Sequence, residues 1–199
     1  MPTPFRPRLL ALALAVASLL AGCETTPPHT TFPDIRFTAE PPIGLEVAAI
    51  DIRNDYQPSF RAPHVEHLFP VPPARAAENW AHDRLKAVGN AGRARFTIKD
   101  AEVIEVELKK ASEGIRGALT TEPAERYDMT LEASLDALDA HGLPLRTVTV
   151  KATRSQTVLE GATPNQREET WYAMTKSIMA DFDRQMETEI RNNFGPYLQ

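Results

Sequence analysis

Apolar residues recur along this chain with two different periods. Toward the C-terminus, Trp171, Met174, Ile178, Phe182, Met186, Ile190 and Phe194 fall at steps of three or four, the stripe of an amphipathic helix. Thr163 is placed to cap it, Pro164 suits its first turn, and Gln166 stands three residues after the cap, as in a capping box. Gly195-Pro196 ends it. About 30 residues at 1.5 Å each predict a helix roughly 45 Å long, overhanging the strands beneath it. A shorter set, Ala77, Trp80, Ala81, Arg84, Leu85 and Val88, follows Pro73 and precedes Gly89. It predicts a helix over 74–88, with the proline in the first turn and the glycine as its stop.

Between them the period is two, the mark of strands with one buried face. In 93–109 the apolar positions are even: Phe96, Ile98, Ile104, Val106 and Leu108. In 126–138 they are odd: Tyr127, Met129, Leu131, Ala133, Leu135 and Ala137, with Asp128, Thr130, Glu132, Ser134 and Asp136 turned to water. After a His141-Gly142 turn, Val148, Val150, Ala152 and Val158 share a face, and Thr147, Thr149, Lys151, Thr153, Ser155 and Thr157 share the other. Arg154 and Gln156 break that parity. Either a bulge shifts the register, or Arg154 is partly buried beside an acid such as Glu160 or Glu168. A first strand is expected at 45–53, rich in branched residues and bounded by Gly44 and Asn54-Asp55.

The order is strand, helix, three strands, helix. Two amphipathic helices on one face of a four-stranded sheet make a two-layer α+β domain. Its first strand can pair in parallel with a meander strand through the intervening helix.

The N-terminus follows neither period. Arg6 and Arg8 precede an apolar run, Leu9 to Leu20, and then Leu20-Ala21-Gly22-Cys23. This is the layout of a secretory leader, and the tetrad resembles the bacterial lipobox at every position. The resemblance implies cleavage before Cys23, a diacylglyceryl thioether on its sulfur and acylation of the new amino terminus. Residues 1–22 are then a signal peptide, 23–44 a lipidated tether rich in Pro and Thr, and 45–199 a single periplasmic domain. Glu24, where the enterobacterial sorting rule would retain a protein by aspartate, leans toward the outer membrane. The 12-residue apolar run is short of the roughly 20 a spanning helix needs. Attachment would come from the acyl chains.

Charge narrows the partners. Arg6 and Arg8 leave with the leader, so of 22 Lys and Arg 20 stand against 27 Asp and Glu. An acidic chain without a basic run is unsuited to nucleic acid, where Lys and Arg neutralise phosphates. Cys23 is the only cysteine; once acylated it leaves no disulfide, thiolate site or thiol nucleophile.

Chemistry-bearing motifs are sparse. His64-Val65-Glu66-His67, with His82-Asp83 downstream, offers zinc-type ligands. The spacing is not H-E-x-x-H, the segment lies between Pro63 and Pro70, and solvated loop histidines are the expected state, with no metal. The five serines after the leader lack the setting of a nucleophile. Glu102, Glu105, Glu107, Asp136 and Asp139 are expected on the wet face of strands, and no Gly-rich phosphate loop occurs. The expectation is a protein that is not an enzyme and needs no cofactor.

The lipobox, tether and element order, with Trp80 in Ala77-Glu78-Asn79-Trp80 on the first helix, resemble two families of envelope lipoproteins. One is the auxiliary lipoprotein of ABC-type and mammalian-cell-entry-type lipid transporters; the other is the lipopolysaccharide-assembly lipoprotein. The resemblance implies a lipid-anchored, non-catalytic accessory subunit of an envelope transport or assembly complex. A lipid carrier would instead show a deep apolar pocket lined by Met129, Met174 and Phe182, and a structural lipoprotein would contact peptidoglycan. The Pro-rich 56–73 loop with Phe69, and the long 110–125 connection with Ile115, Arg116 and Leu119, are expected to form the partner-contact surface.

Overall fold

The structure is a computed structural model that describes residues 31–109 and 123–199. Residues 1–22, expected as a signal peptide, and Cys23, Ile115, Arg116 and Leu119 lie outside the described residues.

Strands β1 (Ile43–Leu45) and β2 (Ala49–Asn54) come first, followed by helix α1 (Pro73–Arg84) and strand β3 (Leu85–Ala87). Then come β4 (Arg93–Asp100), β5 (Val103–Glu107), β6 (Pro123–Leu138), β7 (Pro144–Leu159) and α2 (Pro164–Asn193). β6 is the spine. β7 pairs antiparallel along its length, with Leu131 opposite Ala152 and Leu135 opposite Val148. β4 and β5 lie end to end on the other edge, Phe96 facing Leu135 and Val103 facing Met129. β2 then pairs parallel to β4, Ile52 beside Phe96, reached through α1 as the crossover logic requires. The sheet is thus four strands across, counted as five because one strand is broken. β1 and β3 form a separate parallel pair.

The helices share one face of the sheet. Trp80 of α1 packs on Phe96 of β4 (ring centroids 5.4 Å apart) and edge-on to Phe182 of α2 (5.2 Å). All seven residues of the predicted α2 stripe are buried, and the Thr163–Gln166 capping box forms in both directions. The two-layer α+β architecture is therefore the one the periodicities predict.

Several details differ, each for a physical reason. The break between β4 and β5 is a register shift between Ile98 and Asp100, and it reverses which parity faces the helices. Ala94, Phe96 and Ile98 are buried before it, Ala101 and Val103 after it, so Ile104, Val106 and Leu108 are only half-buried. Glu105 moves the other way, onto the helix side opposite Tyr127. Ser134, expected in water, is buried, lying between Thr97 and Thr149 in the central strand. No bulge occurs at Arg154: the pairing of β6 and β7 is continuous there, and the guanidinium reaches Asp181 of α2 at 2.6 Å. Glu160 and Glu168 are not its partners in that bond.

The first helix ends at Arg84, because Leu85–Ala87 is captured as a strand by Ile43–Leu45. Gly89 is accordingly not a helix stop. A Cβ there would stand 2.6 Å from the Glu46 carbonyl carbon and 2.7 Å from the Val47 nitrogen, so the β1–β2 junction crosses directly over it. The expected first strand is split at 46–48 by the same crossing. Residues 31–44, read as tether, lie against α1: Arg36 and the Phe37 amide both donate to Asp83, and Ile35 is buried. The expectation that α2 is longer than the strands does not hold: each strand of the β6–β7 pair has 16 residues and extends about 53 Å at 3.3 Å per residue, against roughly 45 Å for the helix.

Candidate functional site

The 56–73 loop does not lie free in solvent. Its Pro63–Val65 stretch runs antiparallel along the outer edge of β5, with Val65 N–H donating to Val103 O at 3.0 Å and Glu105 N–H to Pro63 O at 2.9 Å. Proline suits an edge position, where no ladder donor is missed. A short 3₁₀ turn, Glu66–Leu68, follows, and then the prolines that lead into α1.

That path turns Glu66 inward. The residue is 3% exposed. Its Oε2 accepts weakly from the Val103 amide at 3.4 Å, while Oε1 is buried without a hydrogen-bond partner. The carboxylate borders a cavity of about 270 Å³ walled by Tyr56, Pro58, Phe60, Pro72, Pro73 and Ala101. Tyr56 approaches Glu66: burial first, then the carboxylate itself, push the phenol above the ordinary tyrosine range.

Phe60 stands at the mouth. It adopts φ 54°, the left-handed region that a bulky side chain rarely occupies. Its ring is 66% exposed yet held against His67, centroids 5.3 Å apart.

The sequence-predicted residues scatter. His64 pairs through its backbone with Ile104, and its Nδ1 is 3.9 Å from Glu102. His67 borders the cavity with Glu66, whereas His82 lines a different groove beside Ile50 and Ile52. Asp83 is bound to Arg36. Among the described residues no group of three or more His, Cys, Asp or Glu could hold a metal. Phe69 is not available to a partner: it is 4% exposed, stacked at 4.9 Å on Trp171 and edge-on to Tyr127. Phe60, of the same loop, is the exposed aromatic. Apolarity marks Phe69 and Phe60 alike, and only the fold decides which is buried.

A second polar cluster closes the same end of the core. The fully buried Tyr127 hydroxyl lies 2.9 Å from Glu105 and 2.6 Å from Glu125, and Arg167 donates to Glu125 at 3.1 Å. Burial, then the two carboxylates, raise the phenol above its usual range.

No protein-family model matches the chain, and no curated protein matches it. Among solved structures, a minor lipoprotein of Acinetobacter baumannii is similar at a TM-score of 0.38 and 12% identity, covering 78% of this chain and 98% of that one. A likeness so slight carries no functional argument.

Proposed function

We propose that the chain is a lipid-anchored, non-catalytic accessory subunit of a cell-envelope transport or assembly complex. The observation that carries this reading is the tetrad Leu20-Ala21-Gly22-Cys23 behind a basic, apolar leader, which resembles the lipobox at every position. Among the described residues no helix is long and apolar enough to cross a membrane, so attachment through acyl chains on Cys23 is consistent with the fold. Membrane binding by several chains needs no basic patch, and this acidic chain has no basic run.

Packing favours an accessory role over that of a lipid carrier. Met129, Met174 and Phe182, the residues a carrier would use to line a deep pocket, are at most 2% exposed within the joined core. Phe182 is in ring contact with both Trp80 and Phe96. The cavity of about 230 Å³ that Met174 borders is otherwise lined by Arg154, Gln156, Thr170, Ala173 and Ser177, a mostly polar set unsuited to a lipid tail. An accessory subunit works through its surface and tolerates such a core.

Crosslinking in cells, gentle solubilisation and purification through a C-terminal tag test the reading. The expected result is stoichiometric recovery of an envelope protein complex with the native chain, and its loss with Cys23→Ala. Co-eluting lipid without any protein partner would overturn it in favour of a carrier. Retention on purified sacculi alone would overturn it in favour of a peptidoglycan-contacting role.

A further inference from the structure

We infer that the outer edge of β7 joins two copies of this chain, antiparallel about a two-fold axis at Ala152 that sets Lys151 of one copy opposite Thr153 of the other. The inference concerns the folded unit and does not rest on the lipid anchor.

The backbone supplies the first argument. Thr130 N–H donates to Glu102 O, so the even residues of β6 bond toward β4 and β5 and the odd ones toward β7. Their partners on β7 are even, Leu131 with Ala152 and Leu135 with Val148. The N–H and C=O groups of Thr147, Thr149, Lys151, Thr153, Ser155 and Thr157 therefore point out of the sheet, and all of these residues are exposed. Among the described residues β7 pairs with β6 alone.

Natural sheets blunt such an edge with proline, a bulge, charge or a covering segment. The other flanks of this sheet follow that rule: Pro63–Val65 covers β5, and β2 is only six residues long. β7 has 16 residues, where strands usually have about 3–10. From Arg146 to Val158 it carries neither a proline nor a register shift, and Lys151 alone is charged among the residues whose backbone faces outward. Nor does α2 seal the edge. Clefts of about 320 Å³ beside Val150 and Arg184, and about 780 Å³ beside Val158 and Thr170, run between strand and helix.

The side chains select the occupant. A two-fold contact is self-complementary, so it must set outward-facing odd residues of β7 opposite odd ones and overlap most of the strand. An axis at Lys151 would place that lysine against itself, and an axis at Val150 would place Arg146 against Arg154. Like charges directly opposite are destabilising. An axis at Ala152 avoids both clashes with almost the whole strand paired. It sets Thr147 against Thr157 and Thr149 against Ser155, hydroxyl pairs of a favoured kind, and leaves Arg146 and Arg154 opposite valines. It also brings the end carrying Leu143 and Leu145 beside Leu159 of the second copy, three large apolar side chains each more than half exposed.

Light scattering and disulfide scanning of the full chain in detergent micelles test the inference, with the parent chain as the control for Cys23. The expected result is a dimer mass. Thr147→Cys/Thr157→Cys should form a covalent dimer on mild oxidation, since directly opposed residues with outward-facing backbones stand about 5.5 Å apart at Cα, within disulfide reach. Thr147→Cys/Ser155→Cys, which needs the axis at Lys151, should stay uncrosslinked. Positions so far apart on one strand cannot bridge within a chain. Thr153→Glu puts a carboxylate opposite Lys151 twice per dimer and should tighten association about threefold or more; Thr153→Lys should weaken it by as much. Within one copy the signs run the other way, because Asp128 and Glu132 stand diagonally across β6 from Thr153. A gain with glutamate is thus not a gain in folding. A monomer mass over the whole soluble concentration range would overturn the inference. So would equal crosslinking of the two cysteine pairs, or association that neither charge variant alters. Run in cells, the same scan would overturn it if Thr147→Cys/Thr157→Cys linked only to a different protein.

Discussion

Arg84 Nε donates to Asp183 Oδ1 at 2.9 Å, joining the two helices through an arginine that is 1% exposed. The same oxygen accepts from Trp80 Nε1 at 2.7 Å, and the remaining guanidinium nitrogens reach Glu187 and the Pro41 carbonyl. One buried cation therefore ties α1, α2 and the segment before β1 together. A planar fork holds its donors in fixed, divergent directions toward these acceptors, where a lysine would bring one compact point charge on a flexible stem. Asp183→Ala leaves Arg84 partly unpaired and strands the indole N–H, and is expected to cost about 3 kcal/mol. That is the low end for a broken buried pair, because Asp183 keeps some water. Urea denaturation of the variant checks it.

Gly89 is required by contact rather than by turn geometry. Gly89→Ala pushes a methyl into the Glu46–Val47 backbone and is expected to destabilise by about 1–3 kcal/mol. Gly195→Ala, with open space around the added carbon, should stay within about 0.5 kcal/mol of the parent. Paired thermal melts distinguish the two.

Tyr127 carries one hydroxyl proton between two carboxylates. Tyr127→Phe removes that donor and leaves Glu105 and Glu125 facing one another, with Arg167 bonded to Glu125 alone. The expected loss is about 1.5–3 kcal/mol, the range for a hydrogen bond to a charged group. Denaturant midpoints at neutral pH measure it.

Stability should fall in acid for an identifiable reason. Arg154 holds Asp181 below its ordinary value of 3.8, and Arg191 with Arg84 holds Glu187 below 4.5. Arg36 does the same for Asp83. A carboxylate depressed in the folded state adds stability that is complete above its unfolded pKa and is lost as pH falls through the folded one. The decline is therefore expected to begin near pH 4.5 and deepen below 3.8. Asp181→Asn should make stability less steep in that window. Urea midpoints taken from neutral pH downward test both statements.

Much of the fold was legible residue by residue. The stripe from Trp171 to Phe194 and the odd-numbered face from Tyr127 to Ala137 are buried as their periods predict, because each element is long enough for one face to dominate. Shorter segments misled. Leu85 continues the helical spacing of Ala77 and Ala81, yet it belongs to a strand because β1 is at hand to pair with it. The 56–73 segment was visible only as a proline-rich loop; the histidines within it drew attention to metal chemistry, while the residue the fold buries there is the glutamate between them.

What the chain determines by itself is periodicity, capping and composition: two amphipathic helices, alternating strands, an excess of acidic residues and the tetrad Leu20-Ala21-Gly22-Cys23 after an apolar run. These are local properties, set by neighbours within a few residues. The tertiary structure alone decides what depends on partners far along the chain. The register shift after Ile98 turns Glu105 toward the core. The edge of β5 captures Pro63–Val65 and so buries the side chain of Glu66. A buried charge is worth what its surroundings make it, and surroundings are assembled only when distant segments meet.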